Sequence, residues 1–272
     1  MNSFTMGPAI LFCPADRSDR YAKALERADA VILDLEDAVA AGNKQAARQA
    51  LIDTPLDPER TIVRINPAGT EDITADLAAL EQTRYRTIML AKTESAEQLD
   101  RLVDYAVVAL CETALGVLNA PQIAAAPQVV ALMWGAEDLV ASLGGSSSRK
   151  ASGTYRDVAR HARSQVLLAA GAHGKVAIDS VYIDIPDQAG LLGESVDAAA
   201  SGFGAKASIH PSQMPVIRQA FAPSAEEVER ATRMLAAAGQ ASGVFTFEGQ
   251  MVDEPLLRHA RAVLGRTGRS DR

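Results

Sequence analysis

Eight short runs dense in Val, Ile, Leu and Ala recur along the chain, each apolar without strict alternation. They begin at Ala9 (AILFCP), Ala30 (AVILDLE), Thr61 (TIVRIN), Thr87 (TIMLAK), Ala106 (AVVALCE), Val129 (VVALMWGAED), Val176 (VAIDSVYID) and Ala205 (AKASIHP). A strand that is apolar on both sides must be covered on both faces, the condition of a parallel sheet wrapped by helices. Helical segments lie between the runs and open at Ser18, Ser95, Thr154, Asp187 and Ser224. Ser95 with Gln98 and Ser224 with Glu227 have capping-box spacing. Eight strands alternating with helices predict an α/β fold, a (β/α)8 TIM barrel, and 272 residues suit one. The competing architecture is an open doubly wound sheet. No G-x-G-x-x-G follows an early strand, which weakens its dinucleotide-binding version.

The barrel is expected over residues 1–222. Residues 223–272 form a C-terminal extension of the same functional unit, a short extended segment (VFTFEG), a turn and a last amphipathic helix. Closure does not need this piece, so it is expected to cover the barrel mouth or a neighbouring subunit. LGGSSSRKASG (143–153) reads as a flexible loop rather than a linker, and the tail beyond Gly265 reads as frayed. A net charge of −7 without a basic run argues against nucleic acid and an anionic membrane as partners. Two cysteines in apolar surroundings, no evident signal peptide and no membrane-length apolar run fit a cytoplasmic protein.

In such a barrel the loops after the strands build the site. Strand two delivers Glu36 and Asp37, strand three Arg64 and Asn66, strand four Lys92 and Glu94. Strand five delivers Glu112, strand six Glu137 and Asp138, and strand eight His210. Glu112 and Asp138 leave adjacent strands, whose spacing of about 4.8 Å makes the two carboxylates repel unless a proton or cation intervenes. Hard oxygen donors suit Mg2+; a helix cap or an ion-pair partner is the other reading for either one. Arg64 inside an apolar strand needs a partner, for which Glu36 or Glu112 serves, or it aims at a substrate carboxylate or enolate oxygen. Glu36 and Asp37 take a supporting role. Asp253, before Pro255, reads first as a helix N-cap, and His210 before Pro211 as a loop-shaping residue. Lys44 and Arg48 share a helix face, expected to be solvated. Met133 and Trp134 read as wall.

The segments PADRSDRYAKA, VILDLEDAV, TIVRIN, CETALG, MWGAEDL, SIHPSQ and FEGQMVDEP, in that order, resemble the citrate lyase β-subunit-like branch of the HpcH/HpaI aldolase family. The resemblance runs from about Gly7 to Leu264. It implies a TIM-barrel carbon–carbon lyase acting beside a thioester with Mg2+ held by Glu112 and Asp138. It implies Arg64 as the substrate-binding arginine, with backbone amides of Trp134 to Asp138 gripping a ligand carboxylate and Glu112, Met133, Trp134, Gly135 and Ala136 as substrate-binding residues. It assigns Arg20 and Lys23 to coenzyme A phosphates, and His210 and Pro211 to the coenzyme channel. Asp253 becomes an acid/base that reaches an adjacent subunit, with Glu36 and Asp37 in support. The implied partners are an acyl-CoA, citramalyl-CoA or malyl-CoA like, a 2-oxo acid, and further copies of the chain in a homotrimer. A citrate lyase β subunit acting on a citryl carrier protein, and a class II aldolase on free 2-oxo acids, are the alternatives.

Overall fold

All eight runs become strands, and each strand begins at the residue where its run begins. The computed structural model describes residues 4–239 and 243–267. The strands are β1 (Ala9–Pro14), β2 (Ala30–Asp34), β3 (Thr61–Ile65), β4 (Thr87–Leu90), β5 (Ala106–Cys111), β6 (Val129–Trp134), β7 (Val176–Asp179) and β8 (Ala205–Ser208). They pair in parallel in sequence order, and β8 closes on β1 through Ile10 opposite Ala207. The sheet is therefore a closed barrel rather than an open doubly wound sheet.

Every second residue of a strand points inward. The inward set forms one core: Ile10, Ala30, Ile32, Ile62, Met89, Val108, Leu110, Ala131, Met133, Ile178, Ala205 and Ala207. Residues facing the other way, such as Leu33, Val63 and Leu132, are equally buried beneath the helices. Burial on both sides is why the sequence shows continuous apolar runs and no alternation.

The helices at Tyr21–Arg27, Asp157–Ala172 and Gln188–Ser201 match their expected segments. The Ser95 segment differs. It forms a 3-10 helix over Glu97–Leu102, and the Gln98 Oε1 accepts the Glu94 and Ser95 amides at 2.8 and 3.4 Å. The Gln98 side chain thus caps the turn's entry.

The chain divides into two compact units, Met1–Ile217 and Arg218–Arg272. In the second, Ser224 and Glu227 form the full capping box of the helix Ala225–Ala238. The expected extended segment is one arm of a hairpin, β9 (Phe245–Phe247) with β10 (Gln250–Val252), and the helix Glu254–Thr267 follows. Ala231, Met234, Val252, Ala260 and Val263 make this unit's own core. No helix among the described residues is long and apolar enough to cross a membrane.

Candidate active site

The site is the top layer of the barrel interior. Asp34, Arg64, Glu112, Gly135, Ser180 and Ile209 each stand two residues beyond an inward apolar side chain, namely Ile32, Ile62, Leu110, Met133, Ile178 and Ala207. With Phe12, two residues beyond Ile10, they line one cavity of about 190 Å³. The same alternation that fills the barrel with aliphatic groups therefore ends, at its open mouth, in polar ones.

Register explains the first contact. Asp34 on β2 lies directly opposite Arg64 on β3. The guanidinium forks onto that carboxylate, with Nε donating to Oδ1 at 2.7 Å and Nη2 to Oδ2 at 2.5 Å. Its Nη1 lies 3.1 Å from Glu36 Oε2, and its Cζ lies 4.9 Å from the Phe12 ring centroid. Burial disfavours the guanidinium charge, but the Asp34 hydrogen bond and surrounding carboxylates outweigh it and raise the pKa. Asp34 also accepts the Glu36 and Ala38 amides at 2.9 and 3.1 Å. Asp34 is thus the chief partner of Arg64, ahead of the expected Glu36 or Glu112, and it fixes the turn that carries Glu36.

The carboxylate pair is close behind. Glu112 is 3% exposed. Burial, and then the charge of Asp138, push its pKa up to about 8. Asp138 sits in the first turn of the helix Ala136–Ser142. Gly135 stands between the two positions because nothing larger fits: a Cβ there would meet Glu112 Oε2 at 2.6 Å. Lys92 touches both acids. Its backbone amide donates to Glu112 Oε1 at 3.2 Å, and its ammonium lies 3.2 Å from Asp138 Oδ1. That ammonium also binds Glu36 Oε1, and Asp37 Oδ2 at 3.1 Å. Burial raises the Glu36 pKa against the pull of Arg64. At Asp37 burial acts upward too, yet the Lys92 hydrogen bond prevails and lowers it.

Among the described residues no group of three His, Cys, Asp or Glu is placed to hold a metal. Two oxygen donors alone suit a cation that keeps water and takes substrate oxygens, which is the habit of Mg2+ and not of structural zinc.

Two helices brace this layer from behind. Lys44 Nζ donates to the Leu35 and Glu36 carbonyls at 2.8 and 3.2 Å and to Asn66 Oδ1 at 2.6 Å. Arg48 is buried, with Nε on Asp76 Oδ1 at 2.7 Å and Nη2 on Asp72 Oδ1 at 2.5 Å. Asp76 in turn accepts the Asn66 amide and side chain at 2.9 and 2.7 Å. The Lys44–Arg48 face was expected to be solvated; it faces inward because buried Asp76 and half-buried Asp72 on the helix Glu71–Leu80 bind Arg48, and Asn66 and two carbonyls bind Lys44. Four-residue spacing shows which residues share a face and not which way it points.

Of the remaining expected residues, Met133, Gly135, Ala136 and Asp138 line the cavity. The Ala136 amide also lies 3.4 Å from Ser180 Oγ. The Trp134 side chain turns away from it: the indole donates to Asp179 Oδ1 at 2.8 Å and packs edge-on to Tyr155. Only the backbone of Trp134 is left for a ligand. Arg20 and Lys23 are exposed just after β1, on the mouth side. His210 is exposed and caps the turn Pro211–Gln213 by accepting the Ser212 amide. Asp253, in the second unit, is exposed and accepts the Leu256 amide at 3.4 Å, its N-cap role. A larger cavity of about 570 Å³ is lined by Arg149, Tyr155, Arg163, Tyr182 and Glu194, and it contains none of the expected residues.

Sequence reasoning passed over Asp34 and left Lys92 and Asn66 without roles. The two-residue rhythm of the inward side chains is the signal that finds Asp34.

Comparisons show which known proteins the chain is similar to. The sequence model of the HpcH/HpaI aldolase/citrate lyase family matches residues 9–211. A citrate lyase subunit beta-like protein of Mycobacterium tuberculosis is 58% identical over 268 residues, covering 98% of each chain. The mitochondrial citramalyl-CoA lyase of Homo sapiens is 34% identical, covering 93% of this chain and 83% of that one. The crystal structure of the CitE protein of Mycobacterium tuberculosis in complex with magnesium, acetoacetate and coenzyme A superimposes with a TM-score of 0.93 at 58% identity. It covers 97% of this chain and 99% of that chain.

Proposed function

The chain belongs to the HpcH/HpaI aldolase/citrate lyase family, and from that premise we propose a Mg2+-dependent carbon–carbon lyase that cleaves a 3-hydroxyacyl-CoA to acetyl-CoA and a 2-oxo acid. The observation that carries this reading is the meeting of Glu112, Asp138 and Arg64 in one cavity at the barrel mouth. Citramalyl-CoA, giving pyruvate, is the favoured substrate. The apolar flank formed by Phe12, Leu110, Met133 and Val181 suits the methyl group of pyruvate, and a related human enzyme is a citramalyl-CoA lyase.

Glu112 and Asp138 would hold the metal. A bound Mg2+ supplies Lewis-acid stabilisation of the substrate's carboxylate and hydroxyl oxygens. The protein does the rest. Arg64 is fixed by Asp34 and Glu36, so its guanidinium pays no reorganisation cost when charge moves onto an enolate oxygen beside it. Glu36 and Asp37, tied together by Lys92, hold the wall around it. Backbone amides of 134–138 face the substrate carboxylate. Arg20 and Lys23 meet the coenzyme phosphates, with His210 and Pro211 beside the coenzyme. As the hydroxyl gives its proton to solvent water, the bond between the carbinol and acyl α-carbons breaks, leaving an enolate that needs one proton on carbon. Asp253, from an adjacent copy in a homotrimer, delivers it.

The test is product analysis. Citramalyl-CoA and malyl-CoA, each with Mg2+ and with EDTA, are followed for acetyl-CoA and 2-oxo acid. Equimolar, metal-dependent release of both from either thioester is expected. Release of free coenzyme A without an oxo acid, or no reaction in folded, Mg2+-binding protein, overturns the reading.

A further inference from the structure

We propose that Lys92 is a built-in counter-cation for the metal carboxylates: its ammonium holds Asp138 in the metal-free enzyme and must give that carboxylate up when a divalent cation binds. The inference rests on the metal-site reading above.

Lys92 touches both halves of the pair, Glu112 through its backbone amide and Asp138 through its ammonium. Its backbone lies in the left-handed region, at φ 48°, a conformation rare for a side-chain-bearing residue. Only Glu248 shares it among the described non-glycine residues.

Charge requires such a group. Glu36, Asp37, Glu112 and Asp138 crowd one wall, and Arg64 is already forked onto Asp34. Arg64 also reaches Glu36, and among the described residues Lys92 is the cation paired with Asp37 and Asp138. A divalent ion on Asp138 would stand within a few ångströms of the ammonium, and like charges at that range repel strongly in a partly buried site. The ammonium does not need to leave the site, because Glu36 and Asp37 already bind it. Metal entry is therefore an exchange in which Asp138 passes from lysine to metal, and wild-type affinity is held down by the cation being displaced.

The experiment measures Mg2+ affinity by calorimetry and thermal stability with EDTA and with Mg2+, for the wild type, Lys92→Met, Lys92→Gln and Lys92→Arg. Removing the charge should tighten Mg2+ binding about tenfold or more. It should also lower the melting temperature in EDTA, and Mg2+ should restore most of the loss. Lys92→Arg should stay near wild-type affinity. A neutral variant that folds only with Mg2+ also supports the exchange. Unchanged or weaker Mg2+ binding in folded neutral variants overturns it, and so does a failure to fold under both conditions, since each makes Lys92 an ordinary structural tether. Glu112→Gln and Asp138→Asn separate the two claims. If they leave Mg2+ binding intact, the metal-site reading itself fails.

Discussion

Gly135→Ala adds one carbon at the most crowded point of the site. The new Cβ would stand 2.6 Å from Glu112 Oε2 and 2.8 Å from Glu112 Cβ. To reach the ordinary contact of 3.4 Å the carboxylate must retreat about 0.8 Å and its stem about 0.6 Å. The backbone gives no reason for glycine, since φ −125° and ψ 121° suit alanine equally well, so the effect is steric. Overpacking of this kind costs about 1–3 kcal/mol of stability, leaving a folded protein. Catalytic geometry tolerates only about 0.5 Å, and a misplacement near 1 Å lowers rates about 100-fold. We therefore expect kcat/KM to fall about 100-fold and Mg2+ affinity to weaken, while circular dichroism shows a native fold. Calorimetric titration with Mg2+ and a coupled acetyl-CoA assay measure both. A folded variant with wild-type Mg2+ affinity and turnover would refute the account of why glycine is there.

Arg64→Lys keeps the charge but loses the fork onto Asp34. We expect a 100- to 1,000-fold loss in kcat, about 2.7–4 kcal/mol, with Mg2+ affinity little changed by calorimetry. Asp179 is fully buried, which pushes its carboxyl up, but Lys206 and Arg163 outweigh burial and hold it below the ordinary carboxylate range. The unfolded chain therefore takes up the proton first. The stabilisation is present above pH of about 4 and is lost as pH falls through the folded value. Asp179→Asn should lower the urea midpoint at pH 7, by about 3–5 kcal/mol in stability, and flatten the decline below pH 4. Ser224→Ala removes half of a capping box and should cost about 1 kcal/mol, read from the melting of the second unit's helical signal.

The barrel was legible because parallel strands buried on both faces leave continuous apolar runs, and all eight starts coincide with strands. The polar end of those runs was legible too: Glu112, Asp138 and Arg64 do meet. What sequence alone hid was direction and register. Asp34 stands inside VILDLEDAV, yet its pairing with Arg64 depends on which residues oppose each other across β2 and β3. Lys44 and Arg48 show a polar helix face, but whether it meets water or Asp72 and Asp76 is decided by the neighbouring helix. Trp134 sits one residue from the cavity and points the other way, because alternation puts neighbours on opposite faces. The residues after VFTFEG were read as a turn into a helix, and a second strand, Gln250–Val252, stands there instead. Strands of three residues carry too little pattern to be read singly.

The central claim is that the barrel-mouth carboxylates are the metal site of a lyase. Crystals soaked in Mn2+ with pyruvate, measured at the manganese absorption edge, test it most directly. The account predicts one anomalous peak per chain between Glu112 and Asp138, with pyruvate oxygens completing the coordination beside Arg64. A peak elsewhere, or full occupancy in crystals of Glu112→Gln, would contradict it.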